Sequence, residues 1–141
     1  MTEYNNFDLI LGASKPHILN YFGAPNKAYS SILVYKKHAG TLVITFDIQA
    51  ANRQRTEEVS GFVLYDIHGN LLYSKGLKPL NADQVASAET MQTSEDILAA
   101  FGSTHFDIGS GMHNYGYFTE RGELFLIGNL SGQSHCRRIP V

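Results

Sequence analysis

Two segments of this chain match each other, and a duplicated element narrows the possible architectures more than local propensity does. The first is Ser14-Lys15-Pro16-His17-Ile18-Leu19-Asn20-Tyr21-Phe22-Gly23 and the second Thr93-Ser94-Glu95-Asp96-Ile97-Leu98-Ala99-Ala100-Phe101-Gly102. A hydroxyl residue opens each, Ile-Leu falls at matching places, and Phe-Gly closes both, with Gly23 and Gly102 standing 79 positions apart (102 − 23). A Ser or Thr ahead of an apolar turn acts as an N-cap, because its side-chain oxygen accepts a backbone N–H that a helix start leaves unpaired. A glycine after the last apolar residue supplies the left-handed conformation that ends a helix. The pattern predicts two short helices capped by Ser14 and Thr93 and stopped at Gly23 and Gly102. Ile18 and Phe22, like Ile97 and Phe101, lie four apart and share a face that packs on a sheet. Thr93 with Asp96 approximates a capping box, and Pro16 is tolerated in a first turn, where its missing N–H had no partner.

After each helix the copies agree again. Tyr35, Gly40 and Leu42 match Tyr117, Gly122 and Leu124 at an offset of 82 (117 − 35), so the extra residues of the second copy belong in its loop through 103–111. Turn chemistry at 36–40 and 119–122 precedes β-rich runs from Thr41 to Ile48 and from Glu123 to Leu130. A further hairpin joins Val59–Asp66 to Leu71–Lys75 across His68-Gly69-Asn70, its Tyr65, Gly69 and Leu71 echoing the same order. Asn81 to Met91 reads as another helix with Asn81 as N-cap, and Ser131-Gly132 as a turn into a last strand, Ser134 to Ile139. The expected fold is α+β, a mainly antiparallel sheet with short helices packed on one side. One domain spans 1–141, with repeat 1 over about 9–48, a central hairpin over 58–76 and repeat 2 over about 92–130, both copies sharing one apolar interior.

A chain of 141 residues buries roughly 68–70% of its unfolded surface and needs no covalent staple. Its one cysteine, Cys136, has no internal partner, which fits a reducing compartment. Residues 1–8 are polar and acidic with no secretory or lipid signal, and no run approaches the roughly 18 apolar residues of a membrane span. A soluble, cytoplasmic protein without membrane contact is expected. The net charge is −2 and the pI about 6.3, so no overall field attracts nucleic acid, and Lys36-Lys37, Arg53-Gln54-Arg55 and Arg137-Arg138 are too short and scattered to track phosphates.

Leu11-Gly12-Ala13-Ser14, then Ile18-Leu19, then Phe22-Gly23-Ala24-Pro25, followed by an aromatic-containing hairpin, form an order that resembles a known repeat unit. It is the unit shared by the β-lactamase inhibitor proteins and the small lipoproteins of outer-membrane assembly. The resemblance covers about half of the chain. It implies a non-catalytic domain that binds other proteins through a concave sheet and its loops. The chain departs from that pattern in lacking a lipoprotein cysteine near the start and a cysteine pair within each repeat, and in carrying Ser103-Thr104 where the first copy has Ala24-Pro25. In general character it also resembles the immunity proteins of bacterial toxin systems.

Among groups that carry chemistry, His105-Phe106-Asp107-Ile108-Gly109-Ser110-Gly111-Met112-His113 combines imidazoles with a carboxylate on a glycine-rich loop, the basis of an alternative reading as a small metal- or ligand-binding enzyme. Its spacing matches no established ligand pattern, and loop chemistry accounts for the same residues. Cys136 between His135 and Arg137-Arg138 reads as a structural thiol, because strand neighbours point to opposite faces. Gly109-Ser110-Gly111 lacks the Gly-x-Ser-x-Gly of a nucleophile elbow. Glu57-Glu58 reads as a solvated strand edge, and Glu95-Asp96 as first-turn acids that complement the helix dipole. No catalytic residue, metal site or cofactor is assigned. The residues assigned to partner binding are Tyr35, Asp107, His113, Tyr115, Tyr117, Glu120 and Glu123: aromatics for contact area and acids to face a basic partner. The expected function is that of an immunity-type inhibitor, monomeric or homodimeric, masking a toxin or enzyme. A third reading is a structural subunit that oligomerises through an exposed sheet edge.

Overall fold

A computed structural model of the chain describes residues 10–51, 54–109 and 112–141, and the side chains of these except 48–51 and 54–56. The acidic start at 1–8, Arg53 and Ser110-Gly111 lie outside the described residues, as does the Arg55 side chain.

Helix α1 (Lys15–Phe22) begins where the Ser14 side chain accepts the His17 N–H (3.3 Å), and α3 (Ser94–Phe101) where Thr93 accepts the Asp96 N–H (3.2 Å). Between them α2 (Ala82–Glu89) starts at a full reciprocal capping box: Asn81 accepts from the Gln84 N–H, and Gln84 from the Asn81 N–H. Both α1 and α3 stop at glycine as expected, but in a different conformation. Gly23 (φ 81°, ψ −158°) and Gly102 (φ 82°, ψ −165°) combine positive φ with extended ψ, a region closed to residues with a Cβ, and the chain leaves each helix fully extended.

The strands form two antiparallel sheets rather than one. The first has the order β1 (Lys27–Tyr29), β2 (Ile32–Lys37), β3 (Gly40–Ala51), β4 (Gln54–Tyr65), β5 (Leu71–Lys75). The second has β6 (Phe106–Asp107), β7 (Tyr115–Phe118), β8 (Glu123–Gly128), β9 (Arg137–Pro140). The central hairpin does not stand alone, because β4 pairs with β3 from Thr41↔Tyr65 to Ala51↔Gln54 and so belongs to the first sheet.

Alternate residues of each strand divide between two apolar clusters. On β2, Leu33 and Tyr35 pack with Ile18 of α1, Leu42, Ile44 and Phe62, whereas Ile32 and Val34 turn to the other side and meet Phe106, Phe118, Leu124 and Leu126 of the second sheet. The opposite face of that sheet, with Tyr117, Phe125 and Ile127, is covered by Val85 and Ala88 of α2 and Ile97 of α3. The order of layers is therefore α1, first sheet, second sheet, α2 with α3. The helices lie on both outer sides of the paired sheets, α1 on one and α2 with α3 on the other, rather than on one side of a single sheet, and the face expected to be open and concave is buried against the other sheet. Gly116 lets the Phe106 ring of the neighbouring strand lie over β7, since a Cβ there would come within 2.8 Å of that ring and 2.5 Å of the Phe125 carbonyl.

Tyrosine hydroxyls tie the layers together. Tyr35 donates to the Gly23 carbonyl (2.9 Å) and Tyr117 to the Gly102 carbonyl (2.7 Å), holding each helix end to the sheet below it. Tyr65 donates from the first sheet to the Thr119 carbonyl of the second (2.6 Å) in a fully buried bond. Removing the Tyr65 hydroxyl leaves a buried carbonyl unpaired, whereas the exposed Gly23 can recover a bond from water. Urea unfolding is expected to show Tyr65→Phe costing roughly 1–3 kcal/mol and Tyr35→Phe about 1 kcal/mol or less; equal costs would contradict this account of the interlayer bond.

Candidate functional site

At one end of the sheet sandwich the layers part into a cleft of about 530 Å³. The first sheet contributes Ser30 and Ser31 from the β1–β2 turn, Phe46 and Asp47 from β3, and Glu57 from β4; the second contributes Thr104 to Asp107, Gly109 and Tyr115. Its volume falls within the range of ligand sites, and three carboxylates from three strands line it.

Asp107 organises the rim. Its Oδ1 accepts the N–H groups of Gly109 (2.9 Å) and Asn114 (2.8 Å), and its Oδ2 lies 2.7 Å from His113 Nδ1. Its backbone carbonyl accepts the hydroxyls of Ser30 (3.1 Å) and Ser31 (2.9 Å), which bridge to the first sheet. Burial pushes the Asp107 carboxyl up, but the hydrogen bonds from His113, Asn114 and Gly109 and the charge of His113 outweigh it and hold the group below the usual carboxylate range. The exposed His113 ring stacks on Tyr115 (centroids 5.2 Å apart, 20° between planes), whose hydroxyl lies 3.3 Å from the same Nδ1. Across the cleft, Lys15 Nζ stands 3.3 Å from Glu57 Oε2 and 5.9 Å from the centre of the Phe46 ring. Glu57 Oε2 makes no hydrogen bond of proper geometry, so this is a charge contact, and its partial exposure makes it a weak one.

The seven residues assigned to binding divide three ways. Asp107, His113 and Tyr115 come together on the cleft rim. Glu120, exposed, and Glu123, half-buried, lie at the other end of the β7–β8 hairpin, where the Glu120 backbone bonds Leu80 and Leu71. Tyr35 and Tyr117 are 0% exposed and present nothing to a partner. They leave the binding set as posts that fix helix ends, and burial pushes the Tyr117 hydroxyl up to about 12. Both were assigned for aromatic character, which serves a core as well as a surface.

The two imidazoles of the 105–113 loop do not work together. His105 Nδ1 accepts the Phe118 N–H (2.9 Å), and its ring lies against Phe118 and Tyr117, while His113 is engaged with Asp107. Burial pushes the His105 imidazole down to about 4, so it is neutral near pH 7. Among the described residues no three His, Cys, Asp or Glu side chains converge as metal ligands do. Cys136 packs beside α2 with Sγ 3.8 Å from the Ala88 carbonyl; burial pushes its thiol up, and Arg138 is occupied by two bonds to Glu89 (3.1 and 2.6 Å). Sequence reasoning missed Ser30, Ser31, Asp47 and Thr104, and read Glu57 as a solvated strand edge. The one signal available was Asp47, a charge placed directly after the apolar run Leu42–Phe46.

No protein family, no curated protein and no solved structure matches this chain. Among the described residues no helix is long and apolar enough to cross a membrane.

The bonds to Asp107 generate a direct test. Asp107→Ala is expected to cost roughly 1–3 kcal/mol in denaturant unfolding and to speed amide exchange at Gly109 and Asn114, with Asp107→Asn restoring part of both because an amide oxygen still accepts. Because the folded carboxyl titrates below its unfolded value, its contribution is present above about pH 4 and is lost as pH falls through the folded value. Unchanged exchange at Gly109 and Asn114 in the Ala variant would remove Asp107 as the organiser of the rim.

Proposed function

We propose that this chain is a non-catalytic protein-binding module, most concretely an immunity-type inhibitor that masks a toxin or enzyme, and that it is built from two copies of a helix-then-hairpin unit. What carries the binding reading is the cleft between the sheets, where Asp47, Glu57 and Asp107 are drawn from separate strands and flanked by Phe46 and Tyr115. Carboxylates beside aromatic faces are suited to a lysine or arginine side chain, which gains both charge pairing and contact with a ring. The rim residues Asp107, His113 and Tyr115, with Glu120 and Glu123 as a separate acidic area, form the proposed contact surface.

Support for the duplicated unit comes from matched bonds. The pair of tyrosine-to-glycine bonds recurs, and Asn26 and His105, each three residues after its glycine, play one part: the Asn26 side chain accepts the Lys36 N–H (2.7 Å) as His105 accepts that of Phe118. The helix starts also correspond, Val59 N–H donating to the Ala13 carbonyl (2.8 Å) and Ser134 N–H to that of Gln92 (3.0 Å).

Purified products of reading frames adjacent to this one are the natural candidates for the partner. Immobilised protein is expected to retain one of them at micromolar concentration, and Asp47→Asn with Glu57→Gln to weaken retention at least tenfold, a difference of about 1.4 kcal/mol. Retention of none of them would count against the inhibitor reading. A second reading, self-association through the β5 edge, draws on the exposure of Leu72 (57%) and Tyr73 (39%) on that strand and of Ile67 (69%) in the turn before it. Elution volume independent of concentration in size-exclusion chromatography would argue against it.

A further inference from the structure

At one matched position the two halves meet the same need with different chemistry. In the first half the Asn26 amide oxygen accepts the Lys36 N–H, and the Asn26 N–H donates to the Val34 carbonyl (2.8 Å). In the second, His105 Nδ1 accepts the Phe118 N–H, and the His105 N–H donates to the Gly116 carbonyl (2.8 Å). An amide oxygen accepts at any pH, whereas an imidazole nitrogen accepts only while it carries no proton. Acceptance at Nδ1 places the neutral ring's proton on Nε2. A second proton must go to Nδ1, where it would face the Phe118 N–H across 2.9 Å, donor against donor.

The surroundings do little to compensate such a charge. The ring packs against Phe118 (5.9 Å, 18°) and edge-on to Tyr117 (5.2 Å, 79°) on β7. The Tyr117 hydroxyl is already given to Gly102. Asp47 on β3, Glu57 on β4, Asp107 on β6 and Tyr115 on β7 line the same cleft, but Glu57 faces Lys15, Asp107 is taken up by His113, Gly109 and Asn114, and Tyr115 lies beside His113. Burial is what acts on the titration of His105, in the direction that keeps it neutral.

We propose that His105 is a proton-operated latch on the cleft rim: neutral, it clamps residues 104–107 to β7; protonated, it gives up the Phe118 N–H and lets the rim bearing Thr104 and Asp107 part from that strand. Mild acid thus loosens the cleft while leaving the matching region of the first half intact. The further consequence, that a bound protein is released in acid, rests on the protein-binding reading; the latch itself does not.

Amide exchange by NMR on the full chain at pH 6.5 and 4.5, corrected for the intrinsic pH dependence of exchange, tests it. Because protons favour the opened state, Phe118 protection is expected to fall roughly tenfold or more, while Lys36 changes by less than about twofold. His105→Asn, which installs the acceptor used in the first half, is expected to hold Phe118 protection equal at both pH values. Phe118 and Lys36 losing protection together, or an equal acid loss in His105→Asn, would overturn the latch. Should that variant fail to fold, the His105 ring resonance of the unaltered protein decides: a titration midpoint well below 6.5 supports the latch and one at or above 6.5 overturns it. A partner held equally well at both pH values, with the exchange difference present, would sink only the release of a bound protein; an absent exchange difference leaves the binding reading untouched.

Discussion

The central strands of both sheets are buried on both faces, and the rest of the molecule follows from that constraint. Ile32 through Tyr35, Leu42 through Phe46 and Leu124 through Ile127 are unbroken buried runs, not the alternation of apolar and polar residues usual where one face of an antiparallel sheet meets water. One set of alternate side chains packs under a helix and the other against the opposing sheet. Because the inner faces cover each other, an inner face cannot also be an open binding surface. The open surface is left to the ends and edges of the sandwich.

Most polar groups that enter this structure are paired, the Ser94 hydroxyl and Glu57 Oε2 being exceptions among the described residues. The buried tyrosine hydroxyls each find a main-chain carbonyl, so a wide ring fills the core while its tip ties one layer to the next. Asp107 does the same at the mouth of the sandwich with a carboxylate, gathering two N–H groups, an imidazole and, through its carbonyl, two hydroxyls from the other sheet. The cleft is where the apolar interface gives way to such groups. That is why acids, hydroxyls and aromatic faces lie side by side there.

His105 and Asn26 show how two matching bonds can differ in their response to conditions. Each supplies an acceptor beside the strand that follows its helix, but the histidine's acceptor depends on its proton count and its position is the more buried. In the second half that position also borders the cleft, which couples protonation to the shape of the rim.

Local chemistry was legible in the sequence wherever it depended on neighbours along the chain. Ser14, Thr93 and Asn81 cap helices because a side-chain oxygen three residues away is all a helix start requires, and Gly23 and Gly102 end them because few other residues enter that backbone region. The hairpins at 36–40, 66–70 and 119–122 were readable from turn residues for the same reason. Packing was not. An apolar run states that a strand is buried without saying by what, so one sheet under helices and two sheets face to face share a pattern. Tyr35 and Tyr117 looked like contact residues because a tyrosine suits a core and a surface equally, while Glu57 looked like a solvated strand edge although it lines the cleft between the sheets. Helices, their caps and the turns follow from residues a few positions apart and so are written into the chain locally; which faces meet and which charges share a cleft depends on residues distant in the chain and emerges only when the layers pack.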